Sequence, residues 1–359
     1  MGYLNEDEEE ILTMGNDKDQ NSISYLIYFL IFIALSSLSL YVVYKIFGAN
    51  SNFSVFKSYS LSIFSSLLLL LFLYFTFDGL RLYYVLRTLN TDIDFRHIVK
   101  LVFINLFISN VTPFATGGGF VQIYFLNKKG VSLGNATAAT TIRTVLATMF
   151  FFIATPLIIL TGERFTKVVP KETILFYIFL FSILYFSFFY IVIFKNRLLK
   201  KILYNLLRFI RNKDIISKAK FRELCQNLFE EIDVFSDNLN YFLRGSKKDV
   251  LSTLISTLLF LLAEFSFSVI LIYGLGYEVS IISIIFMQVI VVFSMYFAPT
   301  PGATGVAEGS YSLLFARFVS SSDIVPLIFA WRFLTKYIGM LIGMVLFFTG
   351  FVRGNELSE

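Results

Sequence analysis

Ala298-Pro-Thr-Pro-Gly-Ala-Thr-Gly-Val-Ala-Glu-Gly-Ser310 interrupts a hydrophobic region that otherwise has the character of membrane-spanning sequence. Pro299 and Pro301 remove backbone donors and restrict the residues before them, while Gly302, Gly305 and Gly309 permit the φ values of a sharp reversal. A helix entering this stretch has to break. Irregular backbone at membrane depth is tolerated where protein or a water-filled cavity covers its free amide and carbonyl groups, so a break of this kind usually marks a binding site.

The rest of the chain agrees with a membrane setting. Hydrophobic residues make up 57% of the 359 and charged residues 15%, against about 25% charged in soluble domains. Long apolar runs without period-2 alternation exclude an outer-membrane barrel. The net charge of +5 comes from basic residues in the connections, where membrane orientation and anionic lipid explain them better than nucleic acid does. Cys225 and His97 are the only cysteine and histidine, so neither a disulfide within the chain nor a zinc centre is expected, and no metal or cofactor is called for. The acidic run at 6–10 stands where a signal peptide would carry basic residues, so no cleavable signal is expected.

Taken in order, residues 1–21 hold seven acids and one lysine and read as a disordered acidic tail. Apolar segments long enough to span occur at about 24–47, 59–86, 133–160, 173–194, 251–273 and 325–351. Between them lie two pairs of shorter segments, at about 101–111 with 120–126 and 281–297 with 311–318, each pair flanking a Pro/Gly break. Such pairs read as hairpins of half-length helices that return to the side they entered from. Residues 195–249 hold thirteen Lys/Arg and seven Asp/Glu; they read as a basic amphipathic helix on an anionic membrane surface, followed by a second helix with one apolar face. Residues 352–359 form a C-terminal tail.

The two breaks resemble each other. Thr112-Pro113-x-Ala115-Thr116-Gly117 recurs as Thr300-Pro301-x-Ala303-Thr304-Gly305, with an arginine 31 residues after Thr112 (Arg143) and 32 after Thr300 (Arg332). An acid precedes by 34 residues in the first case (Asp78) and by 36 in the second (Glu264). Each unit, about 59–160 and 251–351, is therefore a span with an acid, a broken hairpin and a span with an arginine. The basic segment 195–249 should be cytoplasmic and the connection 274–280, without Lys or Arg, outside. Counting from there puts both termini in the cytoplasm and inserts the hairpins from opposite sides, although the connection carrying Arg164, Lys167 and Lys171 counts against the scheme. The expected fold is an all-α polytopic membrane protein with about six full spans and two re-entrant half-helix hairpins related as an inverted repeat, in a single membrane domain over 22–351.

Helix N-termini favour anions through their free amides and their dipole. An intramembrane arginine needs a partner. One reading makes Arg143 and Arg332, with Thr116, Gly117, Gly118, Gly119, Thr304 and Gly305, a cradle for a lipid phosphate. The other pairs the arginines with Asp78, Glu264 or Glu308 and gives them a structural role. Glu308 either caps its half-helix or titrates as a coupling site; the first hairpin has Gln122 in place of an acid. Asp78 and Arg81, at i and i+3, can also pair with each other.

On the residues from Thr112 to Gly119, Pro299-Thr-Pro-Gly-Ala-Thr-Gly-Val-Ala-Glu308, Arg143 and Arg332, the chain resembles the lysylphosphatidylglycerol synthase transmembrane region, the flippase-like membrane domain of the multiple peptide resistance factors. The likeness runs over about 26–351 and implies a bacterial or archaeal cell-membrane protein that moves lipids between leaflets. In that family aminoacyl transfer belongs to a soluble domain after the membrane region, and no counterpart of it follows Phe351 here. The expectation is a flippase for a phospholipid or lipid-linked precursor and not an enzyme. The alternatives are an integral-membrane headgroup transferase similar to phosphatidylglycerol lysyltransferases, or a membrane scaffold for a separate lipid synthase. A homo-oligomer or a separate lipid-modifying enzyme would then be its protein partner.

Overall fold

The structure, a computed structural model, describes residues 53–161, 171–212 and 217–353, with Leu30, Ile33, Ala34, Ser37, Tyr41, Tyr44 and Lys45 as further helical positions. The acidic tail, most of the first expected span, the connection 162–170 and the residues after 353 lie outside the described set. All regular structure among the described residues is helical. After a 3-10 turn at Phe53–Ser58 come α1 (Leu61–Thr88), α2 (Phe95–Val111), α3 (Thr116–Lys128), α4 (Leu133–Thr161), α5 (Lys171–Phe194), α6 (Asn196–Asn212) and α7 (Lys218–Arg244). Then follow α8 (Lys247–Gly274), α9 (Ile281–Met295), α10 (Val306–Phe315), α11 (Ser321–Arg332), a π turn at Phe333–Tyr337 and α12 (Ile338–Arg353).

Among the described residues four stretches are long and apolar enough to cross a membrane: Leu61–Thr88, Leu133–Leu160, Lys247–Gly274 and Ser321–Thr349. The last joins α11, the π turn and α12. By contrast α2, α3, α9 and α10 have 17, 13, 15 and 10 residues. At about 1.5 Å per residue, none covers a hydrocarbon core of about 30 Å. The breaks fall where proline and glycine predict them: α2 ends before Thr112-Pro113, and α9 ends before the Pro299 to Gly305 stretch.

The described chain divides into two compact units. One is built from 53–71, 103–121 and 265–353. In it α10 packs on α9 and α11, and Trp331, Tyr311 and Phe315 are fully buried, with ring centroids 5.0 Å apart for Tyr311–Trp331 and 4.2 Å for Tyr311–Phe315. Gly343 permits a close crossing, because a Cβ there would lie 1.9 Å from the Phe103 carbonyl oxygen. The Tyr59 hydroxyl donates to the Leu271 carbonyl at 2.6 Å.

The second unit is built from 72–102, 122–161, 171–212 and 217–264. Here α4 packs on α5 and α7, and α6 packs on α7. Ser217 caps α7 by accepting from the Lys220 amide, and Phe221, Leu239 and Phe242 bury its apolar face. Cys225 lies beside that face, buried, as expected of a packing residue.

Candidate functional site

Both breaks fold into a tight turn with the same opening bonds. Thr112 and Thr300 are extended, at φ/ψ of −101/144° and −79/148°. Phe114 (54/17°) and Gly302 (59/17°) both take left-handed conformations, followed by Ala115 at φ 55° and Ala303 at φ 57°. The Ala115 amide donates to the Thr112 carbonyl at 3.2 Å and the Ala303 amide to the Thr300 carbonyl at 3.0 Å. The Thr116 hydroxyl donates to the Pro113 carbonyl at 3.0 Å, and that of Thr304 to the Pro301 carbonyl at 2.8 Å. Five identities in six positions have become a shared turn over Thr112–Ala115 and Thr300–Ala303. The two tips also pack against each other within the first unit.

At the fifth residue they part. At the first tip Thr116 is already helical, and the Gly117 amide donates to the Thr112 hydroxyl at 3.1 Å, which caps α3. Gly117 and Gly118 are spent on packing: a Cβ on Gly118 would lie 1.8 Å from Ser109 Oγ and 2.9 Å from the Asn105 carbonyl oxygen, and one on Gly117 would lie 2.6 Å from Thr112 Cγ2. At the second tip Thr304 stays extended and Gly305 sits at φ 89°, so α10 begins two residues later in the motif. The Glu308 carboxylate accepts from the Gly305 amide at 2.7 Å. The capping expected of Glu308 is thus made. Cβ atoms on Gly305 or Gly309 would meet no described residue within 4 Å, so among the described residues this arm presents an open face.

The arginines take unlike partners. Arg332, buried throughout, lies with Nε 3.0 Å from Glu308 Oε1 and donates from Nη2 to the Gly302 carbonyl at 2.8 Å. Its Nη1 is buried without a hydrogen-bond partner among the described residues. In the second unit Arg143 donates from Nη2 to both Asp78 oxygens at 2.9 Å and from Nη1 to Gln122 at 3.3 Å. Arg81 donates to Asp78 at 3.0 Å and to the Arg143 carbonyl at 2.9 Å, with its guanidinium 4.3 Å from the Phe260 ring centroid. Asp78, Arg81 and Arg143 are each at most 8% exposed. Tyr74 is stacked on Phe260 and lies within electrostatic reach of Asp78, Arg81, Arg143 and Glu264.

Of the residues expected at a phosphate site, Thr116, Gly117, Gly118, Gly119, Thr304, Gly305, Glu308 and Arg332 therefore belong to the first unit, and Arg143, Asp78 and Glu264 to the second. Sequence reading missed three features. The Gly302 carbonyl as an acceptor for Arg332 had no signal, since any carbonyl serves. The Gln288 amide and the Tyr311 hydroxyl both donate to Ser268 Oγ, a buried polar cluster between helices distant in the sequence. The π turn after Arg332 carries Lys336, a half-buried cation whose place in a span was the available clue.

The model of the lysylphosphatidylglycerol synthase TM region matches residues 22–343. The chain belongs to this family. Within the lysylphosphatidylglycerol synthase TM family, the chain is similar to a UPF0104 membrane protein of Archaeoglobus fulgidus, 24% identical over 271 residues, which cover 74% of this chain and 80% of the relative. It is also similar to a UPF0104 membrane protein of Methanocaldococcus jannaschii, 24% identical over 241 residues, 66% of this chain and 68% of the relative.

Proposed function

We propose that the protein is a flippase that moves a phospholipid or lipid-linked precursor between leaflets, carrying its phosphate past the second hairpin tip. In this reading the two broken segments are re-entrant hairpins in a six-span membrane domain. They enter from opposite sides as an inverted repeat, and both termini face the cytoplasm of a prokaryotic cell. The observation that carries the reading is the second tip. Among the described residues it has an open glycine face at Gly305 and Gly309, the N-terminus of α10, and a buried guanidinium donor, Arg332 Nη1, that lacks an acceptor. A buried donor without a partner costs free energy that a phosphate oxygen would recover, and the helix dipole adds to the attraction. Glu308 is the resident counter-ion of Arg332 and the group a phosphate would displace. Arg143, held by both oxygens of Asp78, is assigned the structural role.

The test is lipid exchange by purified protein in vesicles containing fluorescent phosphatidylglycerol, read as the fraction of probe reached by an external quencher. Exchange well above protein-free vesicles is expected, and Gly309→Val should slow it severalfold in a protein that remains folded. Exchange at the protein-free rate with phosphatidylglycerol, phosphatidylethanolamine and a lipid-linked pyrophosphate would overturn the proposal. Formation of a modified lipid from an added donor would favour a transferase instead.

A further inference from the structure

Helix α6 follows the 24-residue apolar helix α5 with only Lys195 between them. Its 17 residues include no Asp or Glu. Placed at about 100° per residue, its apolar side chains fill half the helix circumference, and the tertiary structure divides that half in two. Leu199, Leu203, Leu207 and Ile210 are half-buried in a helix that packs on α7. Leu198, Ile202, Leu206 and Phe209 form a parallel stripe that is 46%, 50%, 54% and 58% exposed.

The cations divide in the same way. Lys200 is paired with Asp233 and lies 5.6 Å from the Phe229 ring centroid, while Arg211 lies 4.9 Å from that of Phe221, so both are engaged by α7. Arg197, Lys201 and Arg208 border the exposed stripe on its other edge. They are exposed and have no ion pair among the described residues. An apolar stripe rimmed by unpaired cations on one side matches the boundary of an anionic bilayer, where apolar side chains enter among the acyl chains and Lys or Arg reaches the headgroups. A second copy of the chain fits poorly, because a two-fold pairing of this stripe would bring two rims of like charge together.

We propose that α6 is a bilayer-surface helix in which Leu198, Ile202, Leu206 and Phe209 enter the membrane boundary and Arg197, Lys201 and Arg208 bind anionic phospholipid. The inference is independent of the flippase reading, since it concerns only the outer face of α6. It also assigns Lys200 and Arg211 no part in lipid selection, although all five cations look equivalent in the sequence.

The single native cysteine makes the test direct. In a full-length Cys225→Ser chain, spin labels are placed at Ile202→Cys, Phe209→Cys and, as an aqueous reference on α7, Glu230→Cys. The chain is reconstituted in vesicles of phosphatidylcholine alone or mixed equally with phosphatidylglycerol. The labels at 202 and 209 should be severalfold more accessible to oxygen relative to a water-soluble nickel complex than the label at 230, with a larger ratio in the anionic vesicles. Replacing Arg197, Lys201 and Arg208 together by glutamine should remove the difference between the two vesicle types, and Lys200→Gln should leave it. Labels at 202 and 209 as open to nickel as the reference in both vesicle types would overturn the proposal. Protection that rises with protein density, with broadening between labels, would do the same in favour of a second copy.

Discussion

The two hairpin tips share five of six residues and open on the same turn, and end in different devices. At Thr112–Gly119 the threonine hydroxyl caps the next helix and the glycines let two helices touch. At Thr300–Gly309 a carboxylate caps the helix, an arginine holds the turn, and Gly305 and Gly309 face no described neighbour. The arginines repeat the contrast: Arg143 pairs with an acid from a preceding span and Arg332 with one inside its own hairpin. A repeated motif therefore sets the turn, whereas the residues after it decide whether the turn is packed shut or left accessible.

Loss of the acids separates the two most strongly. Asp78→Ala strands two buried guanidinium groups and Glu308→Ala only one, and each stranded buried charge costs about 3–5 kcal/mol. Thermal unfolding of the purified protein should show the Asp78 variant as the more damaged, and equal losses would erase the distinction. Replacing the second pair together, Arg332→Met with Glu308→Leu, should recover most of the Glu308 loss, because well-packed apolar residues substitute for buried ion pairs at little cost; lipid exchange should nevertheless fall.

The glycines sharpen the comparison at a smaller scale. Gly118→Ala forces apart two packed helices and should cost about 1–3 kcal/mol. Gly309→Ala meets open space in a helix interior and should gain up to about 1 kcal/mol. If both proteins melt alike, the open face is absent in solution. Phe114, 62% exposed at positive φ, stands where the second tip has Gly302. Relieving that left-handed conformation with Phe114→Gly should be worth about 1 kcal/mol.

The smallest effect lies at the aqueous end of α2. Burial, then Lys129 and Lys100, lowers the His97 pKa to about 4 from its ordinary 6.5. The unfolded chain takes up this proton first, so the contribution of neutral His97 is complete above about pH 6.5 and fades as pH falls toward 4. His97→Gln should flatten the melting temperature between those values.

Helix breaks at Pro113 and Pro301, the capping role of Glu308, the Asp78–Arg81 pair and the amphipathic character of α6 were all legible in the sequence. Each rests on neighbours within a few residues, where proline, glycine and i,i+3 spacing act directly. The partner of Arg143 was one of three candidates, since three intramembrane acids were available and spacing along the chain does not rank them. The repeat pointed to equivalent pairings, and the structure breaks that equivalence because Arg332 finds Glu308 in its own hairpin.

By itself, then, the sequence determined an all-helical membrane protein of the lysylphosphatidylglycerol synthase TM family, the places where its helices break and the turn that both breaks adopt. Those are consequences of hydropathy, backbone freedom and local hydrogen bonding. Only the tertiary structure decided which glycines are filled by a neighbour, which acid neutralises which arginine, and which half of the apolar arc of α6 stays uncovered. Each of these depends on atoms brought together from distant parts of the chain, and burial makes the outcome energetically decisive.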